Sequence, residues 1–162
     1  MQREEKSKFQ LQDEIIKKLI ETNDFEIPKI LIEGEENFLT QDAKMRLARS
    51  GLNENKQKEE LEKAKEEINK EAKRRVKQYL ILDSISEKES IRADQSDIDQ
   101  RMEITAKQMN VPIEKIREYY ASRGNLGEMR SQIVAEKTLD LITKKANIKL
   151  VDPKTTKEAK EK

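Results

Sequence analysis

The stretch from Glu54 to Lys88 reads ENKQKEELEKAKEEINKEAKRRVKQYLILDSISEK, and its pattern decides the fold. Apolar residues return at helical spacing along it: Leu61, Ala64, Ile68 and Ala72 first, then Val76, Tyr79, Leu80, Ile81, Leu82 and Ile85. The spacing predicts one continuous helix, which at ~1.5 Å per residue would reach roughly 50 Å. Its two halves differ. From Leu61 to Ala72 the apolar stripe is thin, as in a helix packed on a single partner and otherwise in solvent. From Val76 to Ile85 the stripe broadens, as in a helix entering a larger body. Charges alternate along the thin half, with Glu59/Lys63, Glu66/Lys70 and Glu71/Arg75 four residues apart. Such pairs support an exposed helix by about a few tenths of a kcal/mol each, and they read as a solvated face.

Upstream, Ser50-Gly51-Leu52-Asn53 reads as a turn, with Gly51 a C-terminal cap for the preceding helix. That helix begins at Pro28, since proline suits a first helical turn, and runs to about Arg49 with Leu31, Phe38 and Met45 spaced by seven. The short turn makes it the partner of the long helix in an antiparallel arm. A first helix, Gln2 to Thr22, carries Leu11, Ile15, Ile16, Leu19 and Ile20 on one face and is interrupted at Asn23-Asp24. Downstream of Ile91 the helices shorten. Asp94 with Asp97 resembles a capping box opening a helix to about Met109, and Pro112 opens another that Gly124 ends. Asn125 with Glu128 is expected to cap the last helix, which runs to about Ala146. Residues 152–162 hold no apolar residue but Ala159 and are expected to form a disordered charged tail after a structured unit over residues 1–151.

Composition agrees with an extended, all-α protein. Of the 162 residues 34% are hydrophobic, 4% aromatic and 41% charged, too little apolar material for a compact globule of this length. With 34 basic and 33 acidic residues the formal net charge is only +1, which argues against wholesale disorder and against a nucleic-acid footprint. No apolar run approaches the ~20 residues that span a bilayer, and Met1 to Lys8 leads into no apolar leader core. A cytoplasmic protein without membrane or nucleic-acid partners is the expectation.

Without histidine or cysteine the commonest catalytic bases and transition-metal ligands are missing, so neither a metal nor a cofactor is expected. Carboxylates are interleaved with Lys and Arg, so none is set apart in the apolar surroundings that separate the pKa values of a catalytic pair. No phosphate-cradling glycine loop occurs, and Gly124-Asn-Leu-Gly127 reads as a helix junction. Lys73-Arg74-Arg75 is the densest basic cluster, but it sits among glutamates and reads as structural. The sequence is therefore not that of an enzyme. What remains is apolar surface. Met102, Met109, Tyr119, Tyr120 and Met129 fall in the last third, where they are either the core of a small helical bundle or the lining of an open groove. A thin arm and three short amphipathic helices lack the partners to cover every apolar face, which favours a groove or self-association.

The residues also resemble a known family. Asn23-Asp-Phe-Glu-Ile-Pro-Lys-Ile-Leu-Ile-Glu33 is similar to the helix-break-helix junction in the C-terminal domain of bacterial trigger factor, the ribosome-associated chaperone. In the same order follow Ala72-Lys-Arg-Arg-Val-Lys-Gln-Tyr-Leu-Ile-Leu82 with Ile85 and Glu89-Ser-Ile91, resembling the family's long helix and its exit. Ile113-Glu-Lys-Ile-Arg-Glu-Tyr-Tyr120, Gly124-Asn-Leu-Gly-Glu-Met-Arg130 and Glu136-Lys-Thr-Leu-Asp-Leu-Ile142 resemble the closing helices, so the likeness covers about Lys6 to Val151.

The resemblance implies an extended helical body with protruding helical-hairpin arms. It also implies ATP-independent holding of unfolded or nascent polypeptides on apolar patches. Client contacts are implied near Phe38, Met45, Leu47 and Leu52 on the arm and near Met109, Ile116, Tyr119 and Tyr120 in the closing helices. Together with Met102 and Met129 these are the candidate client-binding residues. The family's ribosome-docking and prolyl isomerase domains have no counterpart in this sequence, so ribosome contact is expected only through a domain absent here. The family's C-terminal domain begins earlier, with a helix absent here, so Met1-Gln2 is expected to be a start inside a helix. A scaffolding protein that forms a homodimer through the arm is the alternative, and the helical module of periplasmic parvulin-type chaperones is the related fold.

Overall fold

The computed structural model describes residues 2–146, and among them every regular element is an α-helix. In chain order these are α1 (Gln2–Thr22), α2 (Lys29–Arg49), α3 (Glu54–Lys88), α4 (Gln95–Met109), α5 (Ile113–Arg123) and α6 (Leu126–Lys145). Residues 147–162, with the expected charged tail, lie outside the described residues.

The helix ends follow local chemistry. Pro28 precedes α2 and its carbonyl accepts from Leu31 N–H at 3.1 Å, so the helix starts one residue after the proline. Gly51 takes the left-handed conformation, φ 76°, that lets the chain reverse between α2 and α3. Asn53 then caps α3 by accepting from Lys56 N–H at 3.0 Å. At α4 the capping box is reciprocal: Asp97 N–H donates to Asp94 Oδ1 at 3.0 Å, and Asp94 N–H donates to Asp97 Oδ2 at 2.9 Å. Asn125 makes no such bond. Its backbone, φ −85° and ψ 11°, is not the extended one that turns a side chain toward the first-turn N–H groups, so the expected cap of α6 is absent.

The α2–α3 hairpin is the arm, and α2 and α3 form the most extensive helix pair of the molecule. The change of stripe along α3 is the change from arm to body. All buried residues of α3 lie from Ala72 onward: Ala72, Val76, Ile81, Leu82 and Ser86. Over that half α3 packs on α1 and α6, and α1 and α6 meet where Gln12 donates to Asp140 at 3.2 Å. The buried hydroxyls are satisfied locally, Ser86 donating to Asp83 O and Thr138 to Val134 O.

The second protrusion is α4 and α5 folded against the start of α6. Ile98, Met102, Ala106, Ile116, Met129 and Ile133 are its buried core, with Ala93, Val111, Ile113 and Tyr120 packed around them. Alpha6 is the common strut, because it packs on α1 and α3 and also on α4.

Candidate functional site

Alpha2 carries apolar residues on opposite faces. Leu39 is buried and Ile32 half-buried, and on the same side Glu36 accepts from Asn69 and Glu35 from Arg75 at 3.2 Å. This is the seam with α3. Of the seven-spaced residues Phe38, 62% exposed, and Met45, 56%, face outward, as does Ile30 at 74%, while Leu31, 38% exposed, borders the seam. Gly34 lies on that outer face between Ile30 and Phe38. It has ordinary helical φ, and a Cβ built on it would meet nothing within 4 Å. A glycine inside a helix costs about 1 kcal/mol relative to alanine, and no contact among the described residues requires one there.

Of the other arm candidates, Leu47 and Leu52 are half-buried, Leu52 in the turn where its carbonyl accepts from Gln57 Nε2 at 2.6 Å. Closer to the body, Tyr79 is exposed and shares a crevice of about 350 Å³ with Leu31, Glu35, Arg75 and Val76. A larger crevice of about 580 Å³ sits under the α1–α2 linker, walled by Leu19, Phe25, Pro28, Leu80, Ile81 and Ile85. Lys77 pins that linker, its Nζ lying 5.4 Å from the centre of the Phe25 ring and 3.7 Å from Asp24 Oδ1.

The closing helices divide their candidates. Met102, Ile116 and Met129 are 5%, 6% and 4% exposed, so the reading of them as client contacts is corrected. They are the core that α4, α5 and α6 bury in one another, and a side chain so enclosed offers no area to a partner. Tyr120 is half-buried at the edge of that core, with its ring 5.4 Å from Tyr119 in an edge-to-face pair. Met109 and Tyr119 are exposed. The structure therefore brings Phe38 and Met45 onto one surface of the arm and leaves Met109 and Tyr119 on the closing helices. Ile30, Phe25, Tyr79 and Ile104 are exposed apolar residues outside the expected set. Only Ile30 had a signal, its place beside Leu31 at the start of the seven-spaced series.

Charge around these surfaces is organised. Glu71 accepts from Arg74 Nε at 2.7 Å and from Arg75 Nε at 2.8 Å, while Arg75 also reaches Glu35. The guanidinium of Arg74, seconded by that of Arg75, holds the Glu71 carboxyl down at about 2 despite the opposing effect of burial. Of the Lys73-Arg74-Arg75 cluster, Arg74 is thus paired within α3, and Arg75 links α3 to α2 through Glu35. Among the described residues no group of three His, Cys, Asp or Glu could hold a metal ion, and no helix is long and apolar enough to cross a membrane.

A helical hairpin of this length, rooted in a body shared with a second protrusion, is a specific arrangement. The family model described as the C-terminus of bacterial trigger factor protein matches residues 1–144. The chain belongs to the trigger factor C-terminal family. A trigger factor of Geotalea daltonii is 30% identical over 162 residues, covering 95% of this chain and 36% of the relative. Trigger factors of Solibacter usitatus and Thermodesulfovibrio yellowstonii are 28% and 31% identical over 90% and 88% of this chain, and 34% and 31% of their own lengths. The chain thus spans about a third of the length of the curated trigger factors it matches. A solved chain from work on the structures of, and interactions between, domains of Thermotoga maritima trigger factor superposes with a TM-score of 0.64 at 21% identity, over 85% of this chain and 81% of that one. At that identity the superposition speaks for the fold, and it agrees with the trigger factor C-terminal architecture expected from the sequence.

Proposed function

We propose that this trigger factor C-terminal region is an ATP-independent holding module, binding unfolded or nascent polypeptides on separate exposed apolar patches. The observation that carries the reading is the outer face of α2, where Ile30, Phe38 and Met45 stand in solvent away from the hairpin seam, with Leu31 at the seam's edge. In a chain with 41% charged residues, apolar side chains kept outward over about four turns have no role in the fold itself. Met109 on α4 and Tyr119 on α5 supply further exposed apolar surface on the closing helices. Each patch binds an apolar client segment weakly, and two patches on one client gain through effective concentration. The charged surroundings keep the loaded complex soluble. No step in this work needs a catalytic group or a cofactor, and the setting we infer is the cytoplasm.

The test is aggregation of a chemically denatured enzyme diluted into buffer and followed by light scattering. Phe38→Ser with Met45→Ser should reduce protection several-fold with far-UV circular dichroism unchanged, because neither residue is in the seam. Undiminished protection would overturn the reading. Sedimentation of the same variants addresses the scaffolding alternative: a wild-type mass that rises with concentration and falls back on these substitutions, without protection of the client, would favour a homodimer.

A further inference from the structure

We infer that the cleft between α3 and α6 grips the main chain of an extended, neutral client segment, taking its N–H groups on the α3 side and its carbonyls on the α6 side. This rests on the holding function proposed above and adds a second grip, one that reads backbone instead of apolar side chains. The cleft holds about 230 Å³. Along α3, Tyr79, Asp83 and Glu87 line it at intervals of four and are exposed, so they form one ridge at its rim. Leu82 and Ser86, also four apart, are buried and belong to its floor. The facing helix, α6, brings Arg130 and Ser131, both exposed, with Val134 and Ala135 half-buried. The α3–α4 linker adds Ile91 and Arg92. That linker is held in place from α6: Lys137 donates to Arg92 O at 3.2 Å and to Asp97 Oδ2, and Lys145 donates to Glu89 at 2.9 Å. The site is thus set before a client arrives, which lowers the ordering cost of binding.

Charge in the cleft is sorted by side. The carboxylates of Asp83 and Glu87 stand on α3, and the guanidinium groups of Arg130 and Arg92 stand on α6 and the linker. Among the described residues the side chains of Asp83, Glu87 and Arg130 enter no ion pair or hydrogen bond, and the Arg92 guanidinium reaches only the carbonyl of Ile91. Close by, opposite charges have paired, Glu89 with Lys145 and Asp97 with Lys137. The cleft therefore keeps free acceptors on one side and free donors on the other, with no net charge to select an anion or a cation. A neutral extended chain matches it, since each edge of a strand offers N–H and C=O groups and its side chains point alternately up and down. Spacing agrees. Four helical residues set Asp83 and Glu87 ~6 Å apart along the axis, and N–H groups on one edge of an extended chain recur every ~6.6 Å. A strand lying between the two sides would turn alternate side chains onto Leu82, Val134 and Ala135 and the others to solvent. Tyr79 also lines the crevice at the arm's base, so the cleft adjoins the arm.

The test uses the full 162-residue chain and a short peptide of alternating leucine and serine, blocked at both ends and carrying the uncharged dye BODIPY. Fluorescence anisotropy compares it with the same peptide N-methylated at its central amides, which keeps the side chains and carbonyls and removes the donors. A main-chain grip predicts that methylation weakens binding about tenfold, the loss of a charge-assisted hydrogen bond. Asp83→Asn with Glu87→Gln should weaken the unmethylated peptide by a similar factor and bind both peptides alike. Arg130→Gln, on the opposite side, should weaken both peptides equally, because methylation leaves their carbonyls in place. These residues are exposed, and thermal melting of each variant should match wild type. Equal affinity of wild type for the two peptides, or no affinity for the unmethylated one, overturns the main-chain grip; if Phe38→Ser still lowers protection of a denatured client, the holding function on α2 stands without it. Indifference of that protection to Phe38→Ser, with the methylation effect present, would leave the cleft as the grip and remove the α2 face. Binding of an unblocked dipeptide in preference to the blocked peptide would make the cleft a site for charged chain ends and overturn the proposal.

Discussion

Glu71 is one turn from where the arm meets the body, and its two arginine partners make it sensitive to pH. Its folded pKa of about 2 lies below the ordinary carboxylate value of 4.5, so the folded state binds the proton less readily than the unfolded chain. The stabilisation is fully present above about pH 4.5 and is lost as pH falls toward about 2. Glu71→Gln should therefore lower the melting temperature at neutral pH, and the gap from wild type should close over that window; a gap that is constant with pH would show that the ion pairs contribute nothing measurable. The side chain is about a third exposed, so solvent screens the pairs and the effect is modest. Met129 is the opposite case. Enclosed in the α4–α5–α6 core, it should lose about 2–5 kcal/mol on Met129→Ala by denaturant unfolding. Met109→Ala, on an exposed residue of the same type, should change stability by less than about 0.5 kcal/mol.

The helices could be read almost to the residue because their ends carry their own chemistry. Pro28 and Pro112 precede helices, Gly51 and Gly124 turn the chain with positive φ, and Asp94 with Asp97 closes a box of four consecutive residues, to which Lys137 of α6 adds a bond at Asp97 Oδ2. Asp94→Ala should cost about 1 kcal/mol and be felt first as faster amide exchange at the start of α4; unchanged exchange there would remove the box from the account. Which face of a helix is covered was not legible in the same way. Alpha2 has apolar residues on both sides, and spacing alone cannot say whether Leu39 or Phe38 meets the partner. The same limit applied to Met102, Ile116 and Met129. Their stripe is equally good for a groove or a core, and only the folding of α5 and α6 against α4 made them core. The failed cap at Asn125 has a related cause. Gly124 in the left-handed conformation already sets the turn, and the backbone that follows leaves the Asn125 side chain no first-turn amide to face.

For the molecule as a whole, the decisive quantity is how little of the arm the body depends on. Alpha3 has no buried residue before Ala72, and α2 has only Leu39, so the outer part of the hairpin rests on its own seam and on surface ion pairs. The body, by contrast, is held by α1, the second half of α3 and α6, and the closing helices have their own core. Excising residues 41–64 and closing the gap with a short glycine-rich link should leave both of these units intact. The thermal transition of the remainder should then shift by only a few degrees, the change expected of about 1 kcal/mol or less in a chain of this size. Client protection should fall, because Met45 and the turn around Leu52 leave together. A collapse of the remaining structure on excision would mean that the hairpin organises the body. The long helix would then be a spine that folds as one unit, and the broadening of its stripe after Ala72 would mark only a change of neighbours.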